Sequence, residues 1–498
     1  MKISPFFLAF FLYPLQAMAA PIWISNVVLV SPERLDQIVP GSVLIDQERI
    51  VRVERSPDAR APDNARVIDG QGYYLTPGLI DSHVHLQSIP GMSMEQPEQM
   101  TAMADAYYAQ LPRSFLYFGY TSVIDLAVKD RSFINRVKQA PLHPDIYDCS
   151  APLVMANGYP SNYAPLATRY RDFPNFIIDP AQPANIPAHF DPADYTPAKN
   201  VARIKADHGI CVKTHFERGF GSARNLPVMR PAILAQVRVA ASAQQLVLIT
   251  HGNSLEAQQF AVDGGVDVLA HGLWHWGALN KATELPGEIR QLLDRVVVRG
   301  TGYQPTMQVL HGLNAYLDPA YLQQPVLGKL LPPAMLAWLA TPAGQWFRQE
   351  VAGDDTDAQA LQAMQAPLWR QRQVVAYLAS KDANFVFGSD TPSSPTYGNI
   401  PGLNGYLEMQ RLHEAGLSLA QVFKAATLNN ARTFRLERDL GTIEAGKVAN
   451  LLLMKISPLD DIKAYDSIDT VWVRGRPVRR DSLTVQDQAP ARASAKDL

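Results

Sequence analysis

The chemistry in this chain is concentrated in a few short runs. Thr76-Pro77-Gly78-Leu79-Ile80-Asp81-Ser82-His83-Val84-His85 ends in an H-x-H pair. On a strand, residues i and i+2 point to the same face, so His83 and His85 can offer two imidazoles to one ion. Later apolar runs each end in a further donor: Lys213 in Cys-Val-Lys-Thr-His, His251 in Leu-Ile-Thr-His-Gly-Asn, His271 in Leu-Ala-His-Gly, and Asp390 in Phe-Gly-Ser-Asp-Thr-Pro. Four imidazoles and a carboxylate form a mixed nitrogen and oxygen donor set suited to zinc or a similar divalent ion. Lys213 is the odd member, because an ammonium with a pKa near 10.4 is repelled by a dication. Its place in the set makes electrostatic sense if carbon dioxide converts the amine to a carbamate, whose two oxygens can bridge two cations. His215, two residues on and on the same face, is the rival ligand from that strand.

These donors need a scaffold that brings segment ends together. Strand-like runs at Leu79–His83, Ser122–Leu126, Ile146–Ser150, Ile210–Thr214, Leu246–His251, Val266–His271, Val296–Gly300 and Asn384–Asp390 alternate with helix-like stretches. One such helix has Ser254 as its expected N-cap and Gly264 as its stop. Eight strands in this alternation predict an α/β fold, a TIM-like (β/α)8 barrel whose active site lies at the C-terminal rim. Two excursions enlarge it: 152–197, rich in Pro and Tyr, and 312–380, largely helical. Short β-branched runs return at both chain ends, so 21–75 and 440–483 are expected to build one small β-sandwich domain around a barrel at 76–439, with a flexible tail at 484–498.

Composition narrows the class. The chain has 498 residues, 47% of them hydrophobic; 45 Lys+Arg against 47 Asp+Glu leave a formal charge of −2. Such balance gives no footprint for nucleic acid or an anionic membrane surface. Lys2, the apolar stretch Phe6 to Leu15 and Ala17-Met18-Ala19 match a secretory leader over residues 1–20, too short to span a membrane. A secreted or periplasmic enzyme is expected, with no lipid-anchoring Cys at the cut site and no integral membrane segment after leader removal. Cys149 and Cys211 read as buried hydrophobes, and their pairing depends on geometry that sequence does not supply.

The full pattern resembles the amidohydrolase superfamily of metal-dependent hydrolases: the P-G-x-I-D-x-H-x-H start, the strand-four Lys, the strand-five and strand-six His, the G-S-D, and Gly441-Thr442-Ile443-Glu444-Ala445-Gly446-Lys447-Val448-Ala449-Asn450-Leu451. Asn450 stands where the family commonly has Asp, at a structural position. The run from Gly252 to His271 is similar to the imidazolonepropionase-like and prolidase-like branches. The resemblance implies two divalent ions, zinc by donor type: His83, His85 and Asp390 holding one, His251 and His271 the other, with carboxylated Lys213 between them. It also implies hydrolysis of a C–N bond in a small, non-peptide amide, cyclic amide or dipeptide-like substrate by a metal-activated hydroxide, with Asp390 as catalytic proton shuttle. Arg218, His275 and Tyr303 are the expected substrate contacts, Arg218 as partner for a substrate carboxylate. Ester, lactone or phosphotriester hydrolysis at the same centre is the alternative chemistry, and a non-catalytic metal-dependent binding protein the alternative class. Deamination ranks lower, because that branch normally lacks the strand-four Lys and uses an added Glu. Oligomeric state is left open between monomer and homo-oligomer.

Overall fold

The computed structural model describes residues 20–485 except 94, 183–185, 221, 222 and 394. Residues 1–19 of the expected leader and 486–498 of the expected tail lie outside the described residues. Strands β1 (Ile22–Leu29), β2 (Val39–Asp46), β3 (Arg49–Glu54), β4 (Arg66–Asp69) and β5 (Tyr74–Pro77) open the chain. The middle carries β6 (Leu79–Val84), β7 (Tyr120–Asp125), β8 (Asp145–Asp148), β9 (Val154–Met155), β10 (Phe176–Ile177), β11 (Cys211–His215), β12 (Val247–His251), β13 (Val268–Ala270) and β14 (Gly302–Gln304). Strands β15 (Leu451–Met454), β16 (Ile468–Val473) and β17 (Arg476–Arg479) close it.

The two chain ends share one eight-stranded sheet, ordered β17-β16-β15-β5-β1-β2-β3 with β4 also on β1. The join is antiparallel, with Leu452 opposite Thr76. Alternate residues Ile24, Val43, Ile45, Leu75, Leu451, Leu453 and Trp472 bury one apolar face, as period-two patterning requires. Asn450 ties this sheet to the middle: its Nδ2 donates to Asp145 Oδ2 at 2.8 Å, and its Oδ1 accepts the Arg474 N–H at 2.7 Å.

In the middle the fold is mixed α/β. Parallel strands form a three-stranded sheet, β6-β7-β8, and a four-stranded sheet, β11-β12-β13-β14. Residues 384–391 run between their outer edges without forming a continuous ladder. Val386 N–H donates to Tyr303 O at 3.0 Å on one side, and Ser82 N–H to Phe387 O at 3.1 Å on the other. Between β8 and β11 the backbone bond is Ile210 N–H to Asp148 O at 2.9 Å, and beside it Cys149 and Cys211 form a disulfide with their Cα atoms 4.5 Å apart. Both cysteines are buried as expected, and the pairing left open by sequence is present.

One expected strand is a helix. Val296–Gly300 reads as strand seven because Val296, Val297 and Val298 are β-branched, yet Gly287–Arg299 is helical and capped by Gly300 in the left-handed region. Ile289, Leu292, Leu293 and Val296 recur at helical spacing and are buried, while Val298 is 86% exposed. Packing of that face outweighs the β preference of three valines, and the strand is β14, two residues beyond the helix cap. The helix after β12 begins and ends as expected, with Ser254 accepting the Ala257 N–H and Gly264 closing it. The 152–197 excursion holds its own small cluster of Val154, Tyr170, Phe173 and Phe176, and 312–380 ends in a 24-residue helix, Asp357–Ser380.

Candidate metal centre

Strand β6 delivers His83 and the residue beyond its end, His85, while segment 384–391 delivers Asp390. Asp390 Oδ1 lies 2.9 Å from His85 Nε2 and 3.2 Å from His83 Nε2. These three ligand atoms fall within 4.8 Å of one another. Gly388 permits the approach: a Cβ there would come within 2.6 Å of His83 Cβ and 2.5 Å of Gln304 Nε2. Beneath the trio, Asp81 accepts the Ser389 N–H (2.9 Å), the Ser389 hydroxyl (2.5 Å) and the His83 N–H (3.2 Å), so one buried carboxylate braces both segments. Burial pushes its own pKa up to about 7.

The protonation pattern is set by a relay. Ser82 donates its hydroxyl to Phe387 O at 2.6 Å and accepts Gln304 Nε2 at 2.8 Å. Gln304 therefore turns Oε1 toward His83 Nδ1, 2.7 Å away, which must donate. Burial holds His83 well below the usual imidazole range, so the ring is neutral and Nε2 carries a lone pair. That lone pair faces a carboxylate oxygen at 3.2 Å. Two acceptors held so close call for a cation, and the donor types suit zinc. The residues present fit a divalent ion.

Lys213 and His215 come from β11, and His251 from β12, where His215 pairs in register with His251. Lys213 is buried with Nζ 3.5 Å from His83 Nε2, and burial pushes its ammonium down to about 7. His271 follows β13 with φ +79°, and its ring centroid lies 5.0 Å from that of His83 and 4.5 Å from that of His251. Asp390 (φ +54°) and Thr306 (φ +47°) share this left-handed backbone. Such conformations cost about 1–3 kcal/mol each in non-glycine residues and gather at functional sites. All six residues expected as ligands thus meet in one cluster, buried except for the half-buried His85, with His215 beside His251.

The expected substrate contacts do not. Arg218 spends Nε and one terminal nitrogen on Glu256, at 3.1 and 2.7 Å, out in solvent. Tyr303 is wholly buried and its hydroxyl accepts the Leu273 N–H at 2.9 Å, a core role. His275 is exposed and meets Asn253 and Ser254 through backbone. The residues that do reach the cluster are Glu217, whose Oε2 is 3.5 Å from His251 Nε2, and Tyr159, whose ring centroid is 4.8 Å from that of His251. Glu217 was readable as a neighbour of Lys213 in sequence. Gln304, Thr306 and Tyr159 carried no such signal.

Residues 368–478 match the amidohydrolase family. Adenine deaminase 2 of Shouchella clausii (strain KSM-K16) is 39% identical over 62 residues, 12% of this chain and 10% of that protein. Among solved structures, a Xaa-Pro dipeptidase with methionine bound in its active site has a TM-score of 0.62 at 17% identity, covering 92% of this chain and 100% of that one. Phenylurea hydrolase B has a TM-score of 0.64 at 19% identity over 93% of this chain and 98% of that one. These matches bear out the amidohydrolase resemblance, and the structural likenesses establish a shared fold.

Proposed function

We propose that this chain is an exported hydrolase that cleaves a C–N bond of a small acyl compound, on a TIM-like barrel closed by segment 384–391. The observation that carries the reading is the lone pair of His83 Nε2 facing the Asp390 carboxylate at 3.2 Å. His83, His85 and Asp390 would hold one divalent ion; His251 and His271 would hold a second. Lys213, a buried amine whose ammonium is pushed down to about 7, so that a large share is the free amine at neutral pH, can add carbon dioxide and lose a proton to become a carbamate that could bridge the two. Bound ions supply Lewis acidity and lower the pKa of water.

The chain's own part is proton handling and enclosure. Burial raises the Asp390 carboxyl, but the contact with His85 Nε2 at 2.9 Å outweighs it and holds the group below its usual range, so it is an anion ready to accept. Its Oδ2, the oxygen less engaged by histidine, takes the proton of the attacking water and returns it to the leaving nitrogen. Export is supported by the leader-like first twenty residues and by a buried disulfide, a bond that persists in oxidising compartments. A second reading, deamination of an amino-heterocycle, draws on Glu217 beside His251 and on the adenine deaminase match; the buried lysine favours the first.

The test is metal analysis of the natively expressed protein, N-terminal sequencing, and a screen of N-acyl amino acids, dipeptides, lactones and adenine. The expected result is bound zinc, a start near Ala20 and amide hydrolysis. Release of ammonia from adenine alone would select the second reading, and metal-free protein inert to all four classes would overturn both.

A further inference from the structure

Thr306 stands where a helix cap belongs, just before Met307–Leu313, yet its side chain makes no capping bond. Ser, Thr, Asp and Asn at this place normally accept an N–H of the first turn. Here the backbone is left-handed rather than extended, and Thr306 Oγ1 lies 2.9 Å from His271 Nδ1. Thr306 is buried, as is His271. The first-turn N–H it neglects is satisfied from another element. Glu408, on the helix Leu403–Glu414 and with no exposed surface, accepts the Gln308 N–H through Oε2 at 2.6 Å. Glu408 lies 100 residues from Gln308 in sequence, so the bond is tertiary. Arg411, on the same helix, adds a longer bond from Nε to Gln308 Oε1 at 3.4 Å.

We propose that Glu408 is a positioning residue for His271: by capping the turn after Thr306 from outside, it leaves the Thr306 hydroxyl to fix the imidazole. The need is physical. A ligating imidazole presents one nitrogen reliably only when the other is held by a hydrogen bond that fixes tautomer and ring orientation. His271 also sits on strained backbone, which persists only when its surroundings over-determine it. If Glu408 were absent, the buried Gln308 N–H would lack a partner, which is costly. Reorientation of Thr306 to cap its own helix would relieve that cost and release His271.

This inference rests on His271 being a ligand, and the experiment keeps the two separable. Nitrogen-15 spectra of the His271 imidazole in metal-free protein read its tautomer, and chelator competition reads zinc affinity. Thr306→Val and Glu408→Ala should each mix the His271 tautomers and weaken zinc binding by about 10–100-fold. The double variant should be no weaker than Thr306→Val alone, because both act through one bond. Glu408→Gln, which retains an acceptor oxygen, should recover most of the affinity, and Thr306→Ser should behave as wild type; both guard against a folding failure of Glu408→Ala. An unchanged tautomer in Glu408→Ala, or multiplied losses in the double variant, overturns the inference. Tautomer mixing in protein that never binds zinc would overturn the ligand reading and leave the positioning contact standing.

Discussion

The two halves of the cluster are built differently. On the side of β6 and segment 384–391, three ligand atoms are already gathered within 4.8 Å, and each backbone segment is braced by Asp81. On the side of β12 and β13, the imidazoles are occupied with the protein. His251 Nε2 is 3.3 Å from Asn253 Nδ2 and 3.5 Å from Glu217 Oε2, while His271 Nδ1 bonds Thr306. The first half is pre-assembled, so ion binding there costs little reorganisation. In the second half, His251 Nε2 would have to give up Asn253 and Glu217 before it could ligate an ion, whereas the bond from Thr306 to His271 would stay and hold that ring. Ions are therefore expected to bind in two steps, tighter at His83, His85 and Asp390.

The largest effect should come from Asp390→Asn, which removes the anion proposed as both ligand and proton carrier. Turnover measured at full metal loading should fall by roughly 10²–10⁴-fold; near-normal turnover would take Asp390 out of the mechanism. A smaller effect should sharpen the contrast between the halves. Gln304→Leu preserves bulk but breaks the relay to His83 Nδ1. Zinc titration should then show the tight step weakened by about 10–100-fold while the weaker step stays put. Equal weakening of both steps would mean that the halves are not separately organised. The smallest effect should be that of Arg218→Met. The Arg218–Glu256 pair has 52% and 57% of its side-chain surfaces exposed, and such pairs contribute about 0–1 kcal/mol. Steady-state kinetics should show kcat/KM changed by less than about 2-fold. A selective loss on free-acid substrates relative to amide-capped ones would restore Arg218 as a carboxylate partner.

Much of the centre was legible because its ligands lie at the ends of apolar runs and are chemically unmistakable. His83, His85 and Asp390 stand at such ends, and parallel strands carry such ends to one rim. The supporting contacts were not legible. Gln304 reads as one polar residue in Gly-Tyr-Gln-Pro, and Glu408 as an ordinary helical glutamate. Their partners His83 and Gln308 lie 221 and 100 residues away. For Arg218, proximity to Lys213 in sequence suggested the pocket, while in the fold its guanidinium pairs with Glu256 at the surface. Strand seven failed because β-branched composition was weighed above helical spacing, although Ile289, Leu292, Leu293 and Val296 already carried that spacing.

Sequence by itself determined the types of the candidate ligands and their order along the chain, because side-chain chemistry is a local property. Tertiary structure decided which nitrogen of His83 bears the proton, how burial lowers the Lys213 ammonium, and which arginine is spent elsewhere. Those outcomes depend on burial and on partners brought in from hundreds of residues away, and hydrogen bonds of that range exist only once the chain has folded.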